Sequence, residues 1–330
     1  MRALVTGITG QDGHYAARAL LDRGDEVIGV TSRAAGVAAA AAELASPRLT
    51  VRALDFMERG RIDALVDEYR PDLLLNFASF ATGTGMFDNP ASLCRVNGEF
   101  VLDVLEAARR IHPAMRVVQA SSAEMYGDSD SERQDEDSPF RPKSPYGAAK
   151  LHAHNLVRVY RTAYGLKCSS AILLNHESVR RPPAFVTRKI AQGVARISLG
   201  LAGKLALGSL DTRRDWGFAP EYVAAMIAMG ESDAPDDYVL ATGRHSTIRE
   251  LCEIAFGHVG LDWREHVEVD SAFARTIATR PLLGCPERIH AALGWKAEVP
   301  VAQVITQMVD HDLALFGRDL ADRSEGAAAG

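Results

Sequence analysis

TGITGQDGHYAARALL, residues 6–21, sets three glycines (Gly7, Gly10 and Gly13) between an apolar strand and an amphipathic helix. Glycine allows a tight turn and lets backbone N–H groups approach a pyrophosphate at the helix N-terminus. Alone, such a triplet is weak, because glycine punctuates many strand-to-helix turns. Opening a βαβ unit, it predicts a dinucleotide site. Outward from it, strands are expected at ALVT (3–6), EVIGV (26–30), LTVRAL (49–54), DLLLNFA (72–78), RVVQA (116–120), KCSSAILL (167–174) and DYVLATG (237–243). Helical stretches such as HYAARALLDRG and SLCRVNGEFVLDVLEAARRI lie between them. This alternation predicts an α/β fold, a Rossmann-type doubly wound parallel sheet covered on both faces. The dinucleotide-binding domain is assigned to residues 1–174 and 212–243, and a smaller mixed α/β substrate-binding domain to 175–211 and 244–320. Within the latter, HSTIRELCEIAFGHV reads as a helix with Ser246 near its N-cap. RAAGVAAAAAELASPR reads as a short exposed helix or loop, and the tail 321–330, with nothing to bury, as unordered.

At 330 residues with 47% hydrophobic side chains, the chain can bury a sizeable core. Its net charge of −6 gives no general attraction to nucleic acid or to an anionic membrane. No apolar run reaches the roughly 18 residues of a membrane span, and MRALVTG lacks the shape of a secretory signal. Cys94, Cys168, Cys252 and Cys285 are scattered without CxxC or His-paired spacing, which predicts buried free thiols in a reducing cytoplasm and no zinc site. His152 and His154, two apart on a predicted helix, point to different faces and make no metal pair.

The end of the second strand selects the cofactor. VTSR offers Ser32 and Arg33 and no carboxylate for the ribose hydroxyls of NAD, so NADP is favoured and NAD is the alternative. Asp55, ending the third strand, reads either as an acceptor for the adenine amino group or as a turn aspartate.

In SPYGAAK, Tyr146 and Lys150 stand four apart on one helix face. A lysine cation there is expected to lower the phenol pKa, so that the tyrosine works as a base. Upstream, VVQASSAEMYG (117–127) ends a strand in small hydroxyl residues and then presents a carboxylate, Glu124. A tyrosine and a lysine suffice to move a hydride and a proton at an alcohol; Glu124 asks for a further step.

GITGQDG, SSAEMYG, SPYGAAK, LLNHESVRR, FVTRKIAQGVARISLG, GSLDTRRDWGFAPEYV, DDYVLATG and GLDWREHVEVD with LGWK carry a resemblance. Apart from its tail, the chain resembles the extended short-chain dehydrogenases/reductases, and within them the GDP-mannose 4,6-dehydratase family. The resemblance implies a lyase. Tyrosine takes the proton as hydride leaves carbon 4 of the hexose, a carboxylate takes the proton of carbon 5 as water leaves carbon 6, and the hydride returns to carbon 6. Glu124 matches that carboxylate, Tyr146 the base, Lys150 its partner, and Ser122 the hydroxyl that holds O4. The cofactor set becomes Gly7, Thr9, Gly10, Gln11, Asp12, Gly13, Arg33, Asp55, Phe56, Phe77, Ala78, Ser79, Tyr146 and Lys150. Met86, Asn175, Arg181, Lys189, Arg214 and Arg275 fall on substrate-contacting positions for a GDP-linked sugar. His176 reads as a packed, structural histidine.

The chain departs from the family in three places. The nucleoside-contacting glutamate falls on Ala278, the sugar-pocket segment AAQSH is replaced by ASFATGTGMF, and the tetramer arm is replaced by RAAGVAAAAAELASPR. The expectation is therefore a homodimer through the helix after strand four and the tyrosine helix. The alternative functions are an epimerase or 4-keto reductase of a GDP-deoxy sugar, or a non-catalytic NADP-binding relative.

Overall fold

The computed structural model describes residues 1–80, 87–270 and 280–328, with side chains up to residue 320. Strands β1 (Arg2–Thr6), β2 (Glu26–Thr31), β3 (Leu49–Ala53), β4 (Leu73–Asn76), β5 (Arg116–Ala120) and β6 (Cys168–Leu173), with an edge strand Asp237–Leu240, form one sheet. Its order is edge–β6–β5–β4–β1–β2–β3, and every neighbouring pair is parallel. The seven strands sit at the expected segments. Strands such as Leu73–Asn76 and Cys168–Leu173 are buried at every residue, because helices cover both faces.

The principal helices are α1 (Gln11–Asp22), α2 (Ala34–Leu44), α3 (Arg61–Tyr69), α4 (Pro90–Cys94), α5 (Phe100–Ile111), α6 (Pro145–Tyr164), α7 (Val186–Ser198), α8 (Ala219–Glu231) and α9 (Ile248–His258). Ala16, Ala17 and Leu20 of α1 pack with Tyr222, Val223 and Met226 of α8 on one face of the sheet. Ile62 of α3, Val104 of α5 and Val157 of α6 cover the other. A third core joins Ile190 and Val194 of α7, Leu251 and Phe256 of α9, and Ile305 and Met308 of the last helix, Val301–Ala328. Ile289, Leu293 and Trp295, expected with the substrate half, pack instead on the sheet beside α8.

Strand order reverses between β1 and its neighbours β2 and β4, opening a crevice at their carboxyl ends, where ligands of such sheets bind. Three expectations are corrected. Ser246 belongs to a two-residue strand, and Thr247 caps α9 in a reciprocal box with Glu250. Residues 321–328 continue the last helix, since alanine, glutamate and arginine are strong helix formers. The helix after strand four is broken by a π-helical turn over Arg95–Glu99 before α5.

The edge strand is fastened by charge. Both oxygens of Asp237 accept from Arg161 of α6, at 3.0 and 2.8 Å, with side chains only 8% and 15% exposed. Removing one partner of such a pair leaves an uncompensated buried ion. Arg161→Met is therefore expected to cost about 3–5 kcal/mol, read by denaturant unfolding; a loss below about 1 kcal/mol would show that the pair does not hold the edge.

Candidate active site

The glycine turn is shaped by close backbone approach. Gly7 has φ +69°, and a Cβ on Gly13 would stand 2.3 Å from the Gly7 carbonyl oxygen, so no other residue fits there. Gly10 N–H donates to that same carbonyl at 2.8 Å and leads into α1, whose first N–H groups face the crevice mouth. This cradle fits a pyrophosphate, and with it a nicotinamide dinucleotide. Around it, Thr9 Oγ1 lies 3.4 Å from Thr31 Oγ1 and Arg33 is exposed at the N-cap of α2. Asp55 accepts from Met57 N–H at 2.8 Å, the turn reading of that residue. Phe56 is 7% exposed and packs edge-on against Phe100, so its ring belongs to the core and only its backbone is offered to a ligand. Phe77 and Ala78 close the turn from β4, with Ala78 N–H donating to Thr6 Oγ1 at 3.1 Å.

A buried polar chain crosses the strand ends from this turn. Thr6 donates to Asn76 at 2.5 Å, Asn76 to Gln119 at 2.6 Å, and Gln119 to the Ala120 carbonyl at 2.6 Å. The same carbonyl accepts from Lys150 Nζ at 2.8 Å. Lys150 is 2% exposed, and its ammonium lies 5.6 Å from the centre of the Tyr146 ring. Tyr146 is hydrogen-bonded with Ser79 and Ser122. Ser122 caps the short turn Ala123–Met125, accepting from Glu124 N–H at 3.2 Å. α6 presses on that turn: a Cβ on Gly147 would lie 2.5 Å from the Glu124 carbonyl oxygen. The glycine after Tyr146 thus sets the spacing between tyrosine and carboxylate. All four residues expected in catalysis meet at one wall.

Their electrostatics correct one expectation. Burial pushes the Tyr146 phenol above its ordinary value, and the Glu124 charge adds to the rise, against lowering hydrogen bonds from Ser79 and Ser122. Burial likewise lowers Lys150 to about 8, with Asp12 opposing, so the same desolvation acts on both members of the pair.

On the substrate side, Ser122, Glu124, Asn175 and Arg214 line one cavity with Leu174 and Asp215. Arg214, 8% exposed, donates to the Arg213 carbonyl at 2.7 Å. Arg181 is already engaged: its Nε lies 3.1 Å from buried Glu177, and its guanidinium stands 3.7 Å over the Phe185 ring. Lys189, half-buried on α7, is held below the usual lysine value by burial, against Asp270. Met86 and Arg275, with Ala278, lie outside the described residues.

Sequence reading missed Asn97. It sits in the π-helical turn, 1% exposed, where it accepts from Ser79 at 2.6 Å and donates to the Leu93 carbonyl at 3.1 Å. It thereby orients the hydroxyl that touches Tyr146. The apolar periodicity of residues 92–111 runs on through the turn and gives no sign of it. The side chains of Gln11 and Asp12 also differ from expectation, for both are bound to the segment Asn175–Ser178: Gln11 to the His176 carbonyl and Ser178, Asp12 to the His176 ring. His154 bonds Ser170 at 3.0 Å inside the core while His152 is exposed, on different faces as expected. Cys168 and Cys252 are buried, whereas Cys94 and Cys285 are half-exposed.

Among known proteins, the model of the family described as GDP-mannose 4,6 dehydratase matches residues 4–308. The chain is 40% identical to GDP-mannose 4,6 dehydratase 1 of Arabidopsis thaliana, over 97% of its own length and 92% of that protein's. It is 38% identical to a GDP-mannose 4,6-dehydratase of Sinorhizobium fredii, over 94% and 96%. Among solved structures, a UDP-glucose 4-epimerase of Thermus thermophilus in complex with NAD is 27% identical, covers 94% of this chain and 99% of its own, and superimposes with a TM-score of 0.82. The epimerase shares the frame, while the match of sequence runs through the dehydratases: the chain belongs to the GDP-mannose 4,6 dehydratase family.

Proposed function

We propose that the chain is a sugar-nucleotide 4,6-dehydratase that converts GDP-mannose, or a related GDP-hexose, into the 4-keto-6-deoxy sugar. The observation that carries this reading is Glu124 on the same wall as Tyr146 and Lys150, near enough to raise the phenol's pKa. A reductase or simple dehydrogenase has no step that requires such a carboxylate. The cofactor supplies a hydride acceptor that gives the hydride back within one turnover; NADP is favoured, since Arg33 is exposed at the end of β2, where no carboxylate stands.

Each side chain then has one task. Tyr146 takes the proton of the 4-hydroxyl, and the ammonium of Lys150 stabilises the charge that develops on it. Ser122 donates to O4. Oxidation at carbon 4 acidifies the carbon 5 hydrogen, which Glu124 removes, and the same carboxyl protonates the departing 6-hydroxyl. One group doing both balances the elimination; as the hydride returns to carbon 6, carbon 5 takes up a proton, which balances the one that Tyr146 received from the 4-hydroxyl. Asn175 and Arg214, on the shared cavity, serve the sugar and its diphosphate, with Arg181 and Lys189 beside them and Met86 and Arg275 assigned from the family pattern.

We further propose a cytoplasmic homodimer, formed through α5 and α6. Val159 and Tyr164 of α6 are 51% and 54% exposed, and the free cysteines suit a reducing compartment. α2 stays on its own chain through Glu43, which pairs with Arg180 and whose carbonyl accepts from Arg18 at 3.0 Å. That speaks against an arm reaching a second dimer. Among the described residues, no helix is long and apolar enough to cross a membrane.

Incubation with a panel of nucleotide-sugars, followed by mass spectrometry, tests the reading. A product lighter by one water, with the cofactor's redox state unchanged, is expected; an isobaric product or net cofactor consumption would indicate the epimerase or reductase instead. Glu124→Gln is expected to slow water loss by about 10²–10⁴-fold while oxidation at carbon 4 stays visible as reduced cofactor. Undiminished dehydration in that variant would remove Glu124 from the chemistry. Tyr146→Phe is expected to suppress the oxidation itself by about 10²-fold or more in single-turnover absorbance, and an ordinary rate would rule the phenol out as base.

A further inference from the structure

His176 stands between the two halves of the site. Its Nδ1 lies 2.7 Å from the Leu174 carbonyl oxygen and its Nε2 3.1 Å from Asp12 Oδ2. A neutral imidazole carries one N–H, so it would turn a lone pair toward one of these two oxygens. Only the imidazolium satisfies both. The ring is 7% exposed and stacks on Tyr222 of α8, with centroids 4.9 Å apart. Gln11 makes a second bridge along the same line: its Nε2 donates to the His176 carbonyl at 3.1 Å and its Oε1 accepts from Ser178 at 2.8 Å. Gln11 and Asp12 open α1, whose N-terminus is the pyrophosphate cradle; Asn175, next to His176, lines the cavity of Ser122 and Glu124.

We propose that His176 is a positioning residue held as a doubly donating imidazolium, which fastens the cofactor-binding turn to the Asn175–Ser178 segment and so sets the spacing between dinucleotide and nucleotide-sugar. It rests on the dehydratase reading only for the identity of the second ligand. The groups around the ring fit this state. Burial lowers the imidazole and Arg181 of the following turn adds to that, while the charge and hydrogen bond of Asp12 of α1 raise it, helped by the Leu174 carbonyl, and the balance lies above the ordinary value. Tyr222 packs on the ring face, with the charges of Asp215, Glu221 and Glu177 beyond it, and Asp12 also attracts Lys150 of α6. A raised imidazole contributes fully below the ordinary pKa of about 6.5, and its contribution is lost as pH rises through the folded value. The tether therefore weakens toward alkaline pH.

Proton NMR of the intact protein, with the His176 ring resonance assigned by its loss in His176→Gln, reads the charge directly. It is expected to titrate above about 6.5, and in Asp12→Asn to fall below it, because burial is then unopposed. Calorimetry with NADP+ and with GDP reads the tether. His176→Gln is expected to weaken NADP+ binding about tenfold or more and to abolish any mutual strengthening of NADP+ and GDP. Of the alkaline fall in NADP+ affinity, the part due to the imidazole should vanish in His176→Gln, and the part due to Lys150, whose ammonium is lowered to about 8, should remain. A His176 that titrates at or below 6.5 in the native chain, or a Gln variant that binds both ligands as the parent does, overturns the proposal. Should the Gln variant fail to fold, the ring is assigned by through-bond correlation to its own backbone, and comparison of the native chain with Asp12→Asn still decides. An inert native enzyme on every nucleotide-sugar would refute the dehydratase reading and leave these results standing.

Discussion

The site is organised around one buried cation. Lys150 is 2% exposed, and taking an ammonium from water costs several kcal/mol unless other groups replace its solvation. The Ala120 carbonyl supplies one bond at 2.8 Å, and Asp12 supplies an opposing charge. The outcome is a lysine lowered to about 8, which gives up its proton more readily than a surface lysine. That bond also fixes geometry. It ties α6 to the end of β5, where the Thr6–Asn76–Gln119 chain holds the carbonyl in line with β1 and β4. Asp12, which answers Lys150, is half-buried in its turn. Burial alone would raise its pKa, yet His176, Gln11 and Arg181 hold it below the usual carboxylate range. Charge alternates through the interior from Lys150 to Asp12 to His176, and each member is tolerable only because of the next.

Backbone contacts obey the same economy of space. Where Gly13 meets Gly7 and where Gly147 meets Glu124, a single methyl group would force main-chain atoms apart. The first contact brings helix N–H groups to a diphosphate; the second brings a tyrosine helix to a carboxylate turn. These are positions where a side chain is excluded so that two ligand-facing elements can touch.

Much of this was legible in the sequence because it is local. The strands announce themselves by short apolar runs, the cradle by glycines three apart, and Tyr146 with Lys150 by their shared helix face. What could not be read depends on distance along the chain or on depth. Asp12 and His176 are 164 residues apart, and nothing in either segment marks the partnership. The Asn97 turn leaves the apolar repeat intact, so a continuous helix was the natural expectation. Thr247 rather than Ser246 caps α9 because the capping box needs glutamate at the third position, which Glu250 satisfies only for Thr247. The rise in the Tyr146 phenol was missed for a different reason: spacing reveals a neighbouring charge and says nothing of burial, which here is the larger effect.

The frame itself does not choose the reaction, since a 4-epimerase superimposes on it with a TM-score of 0.82. The choice lies in how two acids are set against each other. Burial raises the Tyr146 phenol, and the charge of Glu124 adds to that rise. In the proposed reaction the two bases are needed in succession. Tyr146 is neutral once it accepts the 4-hydroxyl proton, and Glu124 then acts as the base at carbon 5. Glu124 in turn becomes neutral as it takes that proton, and it is then the acid that the departing 6-hydroxyl requires. Burial, with the Glu124 charge added, makes the resting tyrosine a reluctant base, and the carboxylate that adds to that reluctance has a task only after the ketone is formed; a reaction that stopped at the ketone would gain nothing from it.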